Sequence, residues 1–419
     1  MKRTYWILFF LLPAGFISAQ STELTIETCY RLARENYPLI KQQDLITKTS
    51  AYSVENAAKG YLPQVSFSGQ ATYQSETFRF PFNIPGITLP QISKDQYKVQ
   101  AEVSQTIYDA GAIRNQQALK KADETVQQQS LEVNLYALKE RIHQLFFGVL
   151  LIEEQQQQNK LQQSDIQNGI DKVAASLANG TALRSSLDEL KAELIRADQT
   201  AIELDASRTA YLQMLGLFIH QEIDKNARLV KPSPSTMPVE ITRPELALYD
   251  AQKKTLDVQQ KQLHTSYLPK VSAFAQGAYG RPTLNIINNS FGFYALGGIR
   301  FNWALAGLYT RKNDQQLIAI NKQQLDIQKE TFLFNTHISL TQQSAEAIKY
   351  KRLANEDERI VALRESVKNA SAAQLANGVI TSHDYISQVN AENQARLSLA
   401  LHEIQMLQSQ YNYNITSGN

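Results

Sequence analysis

The chain carries its own sequence twice. YLPQVSFSGQATY (Tyr61–Tyr73) returns as YLPKVSAFAQGAY (Tyr267–Tyr279) with 7 of 13 positions identical, and Leu-Ala-Asn-Gly at Leu177–Gly180 returns at Leu375–Gly378. The offsets are 206 and 198 residues, far beyond the roughly 20–50 of a stacked solenoid repeat. The chain is therefore read as two pseudo-equivalent halves of one assembly.

Proline marks out the helices. After Pro90 the next proline is Pro232, and none follows Pro282. A proline inside a helix costs about 3 kcal/mol, so such long proline-free runs permit very long helices. Leu131, Leu135, Leu138, Ile142, Leu145 and Val149 step by alternating fours and threes, as do Leu183, Leu187, Leu190, Leu194, Ala197, Ala201 and Leu204; this is the seam of coiled-coil packing. The Gln-, Glu-, Lys- and Ser-rich residues between, such as Gln155–Gln158, lie inside that frame and read as a solvated face, not as a disordered glutamine tract. Gly111 to Leu177 and Gly307 to Leu375 each predict one helix of roughly 100 Å at 1.5 Å per residue. Each ends at Asn-Gly, which tolerates the left-handed backbone of a helix C-terminus. The expected organisation is a helix over 20–62, a long antiparallel hairpin over 109–218 with its tip at 179–181, a linker over 219–244, a helix over 245–266, and a second long hairpin over 306–416 with its tip at 377–379.

Between the helices the period changes to two. Val65, Phe67, Gly69, Ala71 and Tyr73 alternate with Ser66, Ser68, Gln70 and Thr72, and Tyr97, Val99, Ala101 and Val103 alternate with Lys98, Gln100, Glu102 and Ser104. Val271 to Tyr279 and Phe291 to Trp303 repeat the pattern. These are strands with one apolar and one polar face, forming hairpins over 63–108 and 267–305. A soluble sheet packed on a core would alternate in the same way. Strands of about 9–13 residues can also cross a bilayer when tilted, and the aromatics near their ends (Tyr73, Tyr97, Tyr279, Trp303) suit interfacial girdles. Four strands cannot close a barrel, and an open edge in lipid leaves backbone groups unpaired. Three copies would supply 12 strands, an allowed barrel size, and 12 helical segments.

Lys2 and Arg3, the apolar run Tyr5–Leu12 and the small residues before Gln20 predict a signal peptide over 1–19; the apolar run is too short for the roughly 20 residues of a helical span. Its removal leaves 40 basic and 40 acidic residues, a balance that offers nothing to nucleic acid. Cys29 is the one cysteine, too far from the cleavage point for a lipid anchor, and is expected to be a small core residue. The six histidines form no His-Glu-x-x-His pair, and there is no phosphate-binding Gly-x-x-x-x-Gly-Lys loop and no Gly-x-Ser-x-Gly elbow. No metal, cofactor or enzymatic activity is expected.

Taken in order, the duplication, the Tyr-Leu-Pro junctions at Tyr61–Pro63 and Tyr267–Pro269, the Ala-Gly turns at Gly111 and Gly307, and the glycine at each tip make the mature chain resemble the TolC family of outer-membrane efflux proteins. The resemblance implies an α+β membrane protein. Three duplicated protomers would build a 12-stranded transmembrane β-barrel in the outer membrane of a Gram-negative bacterium, continued by a 12-helix α-barrel in the periplasm. It implies a passive duct in a tripartite efflux or type I secretion system, with a homotrimer touching outer-membrane lipid and coupled to an inner-membrane pump through a periplasmic adaptor. By position it implicates Asn179, Gly180, Thr181, Asn377, Gly378 and Val379 in adaptor docking. The family's periplasmic gate falls on Gly378–Ser387. Its first Asp matches Asp384; its second is Ser387 and its Arg is Ile380, so one of two acidic rings is kept. After the first tip the corresponding position is Ser186, with Arg184 and Asp188 nearby. Arg184 is expected to reach Asp384, and His383 beside it reads as solvated in preference to a cation ligand. Two other classes remain: a coiled-coil adhesin or spacer anchored by a small trimeric barrel, and an outer-membrane lipase-like barrel. The paired tips argue against the first, and the absence of histidine from the strand segments against the second.

Overall fold

A computed structural model describes residues 24–78, Pro81, Gly86, 92–285 and 288–419. The expected signal peptide, and Pro85 and Pro90 of the first strand loop, lie outside the described residues. In chain order the elements are α1 (Ile26–Asn36), α2 (Gln42–Ala58), β1 (Gln64–Tyr73), β2 (Asp95–Tyr108), α3 (Ala112–Tyr136), α4 (Leu138–Ala178), α5 (Arg184–Ile219), α6 (Pro244–Ser266), β3 (Lys270–Arg281), β4 (Gly292–Asn302), α7 (Gly307–Ala376) and α8 (Ser382–Ser417).

Two helices differ from the sequence reading. The first, read as continuous over 20–62, breaks at Tyr37, whose backbone is extended (ψ 132°). Pro38 follows it, and the ring disfavours helical geometry in the preceding residue; a short 3-10 turn, Pro38–Lys41, then leads into α2. The first long helix is also interrupted. Ala137 separates α3 from α4 and offers its N–H to the carbonyls of both Val133 and Leu135, the pattern of a tightened turn. Its counterpart α7 runs unbroken for 70 residues.

The chain forms two compact units, and each draws on both copies of the duplicated sequence. Among the described residues, one comprises those of 24–37, 138–238 and 341–415, and the other those of 38–137, 239–340 and 416–419. In the first, α4 and α5 pack as an antiparallel pair and α1 lies on both. Ile142, Phe146, Val149, Ile166, Leu190, Leu215 and Ile219 are buried there, and α1 adds Ile26, Cys29 and Ala33. Burial pushes the Cys29 thiol up to about 12, which leaves it an unreactive core group.

In the second unit α3 packs on α2 and α6, beside one sheet of order β1-β2-β3-β4 with every neighbour antiparallel. The register aligns Phe67, Ala101, Gly277 and Ala295 in one row and Val65, Val103, Ala275 and Gly297 in the next. The apolar residues of all four strands therefore share a face. That face is bare: Phe67 is 80% exposed, Phe293 87% and Ile299 73%. A soluble sheet would bury such a face against its own core. Arg300 and Glu102 pair on the opposite face at 2.9 Å. Among the described residues, the outer edges of β1 and β4 pair with no other strand.

Candidate functional site

The two hairpin tips are built the same way. Gly180 and Gly378 have φ of +73° and +69°, where a side chain is strained. At the first, the Gly180 N–H donates to Leu177 O at 3.0 Å and the Thr181 N–H to Ser176 O at 2.9 Å; at the second, Gly378 donates to Leu375 O at 3.1 Å and Val379 to Gln374 O at 2.9 Å. These paired bonds are Schellman caps, which satisfy carbonyls left over at a helix C-terminus. Thr181 Oγ1 and Asn377 Nδ2 add bonds to Ser176 O and Ala373 O. Asn179 N–H closes on Ala175 O. Nothing lies within 4 Å of where a Cβ would stand on either glycine, and Val379 is 71% exposed.

The return helices start differently. Thr381 and Asp384 cap α8 reciprocally: the Asp384 carboxylate accepts from Thr381 N–H at 3.1 Å and from Thr381 Oγ1 at 2.6 Å, while Asp384 N–H donates to Thr381 Oγ1 at 3.2 Å. This is a capping box with an acid in the third position. The hydrogen bonds from Thr381 hold the Asp384 carboxyl below its usual value. In α5 the corresponding cap is Leu183, which offers no side-chain bond and is 72% exposed. Arg184 pairs along its own helix with Asp188 at 3.9 Å. Among the described residues the expected Arg184–Asp384 ion pair does not form: Arg184 turns to its i+4 neighbour and Asp384 turns back to its own cap. His383 Nδ1 instead links α8 to α5 through Glu189 Oε1 at 3.1 Å.

Behind the tips, four helices meet in one apolar cluster: Ile166, Ile170 and Val173 of α4, Leu190 and Ala197 of α5, Leu375 of α7, and Tyr385, Ile386 and Val389 of α8. The Tyr385 ring lies on Gly169, where a Cβ would come 2.7 Å from Cε1, and its hydroxyl donates to Asp165 O at 2.9 Å. Burial, then the Asp165 charge, pushes that phenol up to about 12, so it remains a donor. Lys368 of α7, 11% exposed, reaches Asp165 of α4 at 2.7 Å and Glu392 of α8 at 3.9 Å. The sequence reading passed over Gly169, Tyr385 and Lys368. Gly169 had a signal, since a lone glycine inside a helical pattern carries a propensity cost that usually has a packing reason. Lys368 had none.

Residues 29–217 match the family model described as outer membrane efflux protein. The fold is similar to that of the outer membrane protein VceC from Vibrio cholerae (TM-score 0.67, 12% identity, covering 94% of this chain and 96% of that one). It is similar to the outer membrane channel CmeC of Campylobacter jejuni (0.65, 13%, 94% and 85%), and to the open state of the MtrE outer membrane channel of Neisseria gonorrhoeae (0.60, 12%, 94% and 89%). Among curated proteins none matches the sequence. The resemblance read from scattered short motifs is thus carried by a family match over part of the chain and by fold over nearly all of it.

Proposed function

We propose, from that family likeness and shared fold, that this chain is one protomer of a trimeric outer-membrane duct: a passive exit for cargo driven by an inner-membrane pump and handed over through a periplasmic adaptor. The observation that carries the reading is the four-stranded sheet with a bare apolar face and two outer edges that pair with no strand among the described residues. In water the apolar face has nothing to cover it, and in lipid the open edges leave backbone groups unpaired, so neither medium suits a lone chain. Three copies joined edge to edge make a closed barrel of 12 strands, whose outward face is the apolar one. Residues 1–19 direct export and are removed. The chain supplies no energy and no catalytic step.

The tips at Asn179–Thr181 and Asn377–Val379 meet the adaptor. Their glycines are open to solvent and the helix C-termini leading into them carry Schellman caps, so a partner can approach the turn without unwinding those ends. Asp384, with Arg184, Asp188 and His383 close by, narrows the periplasmic end. Three Asp384 carboxylates on a pore axis would concentrate negative potential there.

Two experiments test this. Native electrophoresis of the detergent-extracted protein should give a trimer, and deletion of the gene should raise the cell's retention of a dye or drug. A trimer with unchanged export would favour the adhesin or spacer reading; a water-soluble monomer would end both. Gly180→Cys or Gly378→Cys cross-linking in cells should capture a periplasmic adaptor. For the gate, an Asp384→Ala channel in planar bilayers should lose cation preference; an unchanged preference removes Asp384 from that role.

A further inference from the structure

A polar groove of about 1170 Å³ lies in the unit that holds α4 and α5, walled by α4 residues 150–163, by Ala201, Asp205 and Arg208 of α5, and by 225–231 of the following segment. Its third wall is fixed in place. Arg208 donates to Ala227 O at 2.6 Å, to Lys225 O, and to Glu153 at 2.6 Å. Lys231 is held by Glu403 at 2.9 Å and Glu154 at 3.4 Å. With those charges committed, Lys160, Lys225 and Arg228 remain on the lining as uncompensated cations against the single carboxylate of Asp205. Gln156, Gln157, Asn159 and Gln163 line the same groove. Asn159 is 4% exposed. It donates to Ala197 O at 3.0 Å, while its Oδ1 is buried without a partner among the described residues. A buried acceptor left open costs on the order of 1–3 kcal/mol.

The geometry points to a binding site for an acidic glycopeptide of the cell wall. The free cations suit carboxylates, and the amide row suits sugar hydroxyls and peptide groups. The open Asn159 acceptor suits an N–H or O–H donor. Ligand pockets of a few hundred to about 1,000 Å³ take a ligand of sugar or peptide size, so the volume exceeds what a single inorganic anion needs. Leu150, Leu161, Ala201 and Leu229 also line the groove, but charged and amide side chains make up most of its wall. The assignment rests on the duct reading, which places these helices in the periplasm, where such a polymer is the ligand of this chemistry.

The test uses the purified full-length trimer and a soluble muropeptide, the disaccharide with its tetrapeptide, titrated by calorimetry. Saturable binding is expected. It should weaken at least tenfold in Lys160→Ala/Arg228→Ala and in Asn159→Leu, each checked for an unchanged trimer and helix signal. It should also weaken as salt is raised. A neutral chitin disaccharide should bind at least tenfold more weakly, and inorganic phosphate should not compete. Absent binding at millimolar muropeptide, binding indifferent to the double substitution, or equal binding of phosphate would each overturn the assignment. Dye export by the double variant separates this from the duct reading. If the wild type exports and binds no muropeptide, the groove assignment alone falls.

Discussion

A Cβ at residue 169 would stand 2.7 Å from Tyr385 Cε1, on a ring that is 2% exposed and tied down by its hydroxyl. Helix propensity alone would make Gly169→Ala stabilising by about 1 kcal/mol, whereas forcing a methyl into a packed site costs about 1–3 kcal/mol. The ring has little room to withdraw, so we expect a lower Tm, restored in Gly169→Ala/Tyr385→Leu; a higher Tm for the single variant would show that the ring can swing away. Asp384 poses a question of sign. Its folded carboxyl titrates below the usual value, so its cap is present above the ordinary Asp value of about 3.9 and is lost as pH falls through the lower folded value. Hydrogen exchange of the first-turn amides of α8 should therefore quicken only below about pH 4. Asp384→Asn should remove that step; a step that survives in the Asn variant would assign it to another group.

Between elements, charge pairs differ by burial. Lys253 meets Asp326 at 2.7 Å, but the two side chains are 43% and 56% exposed, and pairs of that kind contribute about 0.2–1 kcal/mol. Lys368 meets Asp165 at the same distance with 11% and 24% exposed. It also faces Glu392, 4% exposed, which Arg396 contacts from its own helix. Removing one partner of a buried pair costs about 3–5 kcal/mol, and partial exposure brings Lys368→Ala toward the lower end. In urea unfolding of the intact protein we expect Lys368→Ala to shift the midpoint clearly and Lys253→Ala to shift it little. Equal shifts would mean that the link from α7 to α4 and α8 is no stronger than a surface contact.

For the whole molecule the decisive quantity is the apolar face of the sheet. Phe67 lies near the middle of β1 on that face, and Ser68 points the other way. A lysine facing lipid near the bilayer midplane costs about 2–4 kcal/mol per copy, and a trimer would carry three. Phe67→Lys should cut the yield of trimer in the outer-membrane fraction severely, and Ser68→Lys should leave it near normal. The opposite order would place the polar face toward lipid and reverse the barrel.

Local periodicity is legible in one dimension, and so were the parts of this protein that depend on it. Alternation at period two marked β1 to β4 and which residues share a face. The four-three seam and the Asn-Gly pairs located the long helices and their turns, because heptads and left-handed glycines are requirements of a few adjacent residues. Pro38 was in plain view too, yet its effect on Tyr37 was read through. The Asp384 cap on Thr381 and the Arg184–Asp188 pair are local contacts, three and four residues apart, that prevail over a cross-tip pair. What only the tertiary structure decided lies across sequence separations on the order of 200 residues: β2 beside β3, Tyr385 on Gly169, and Lys368 on Asp165. A side chain's partner across such a span is selected by packing and by competition among nearby groups, and neither leaves a periodic trace in the chain.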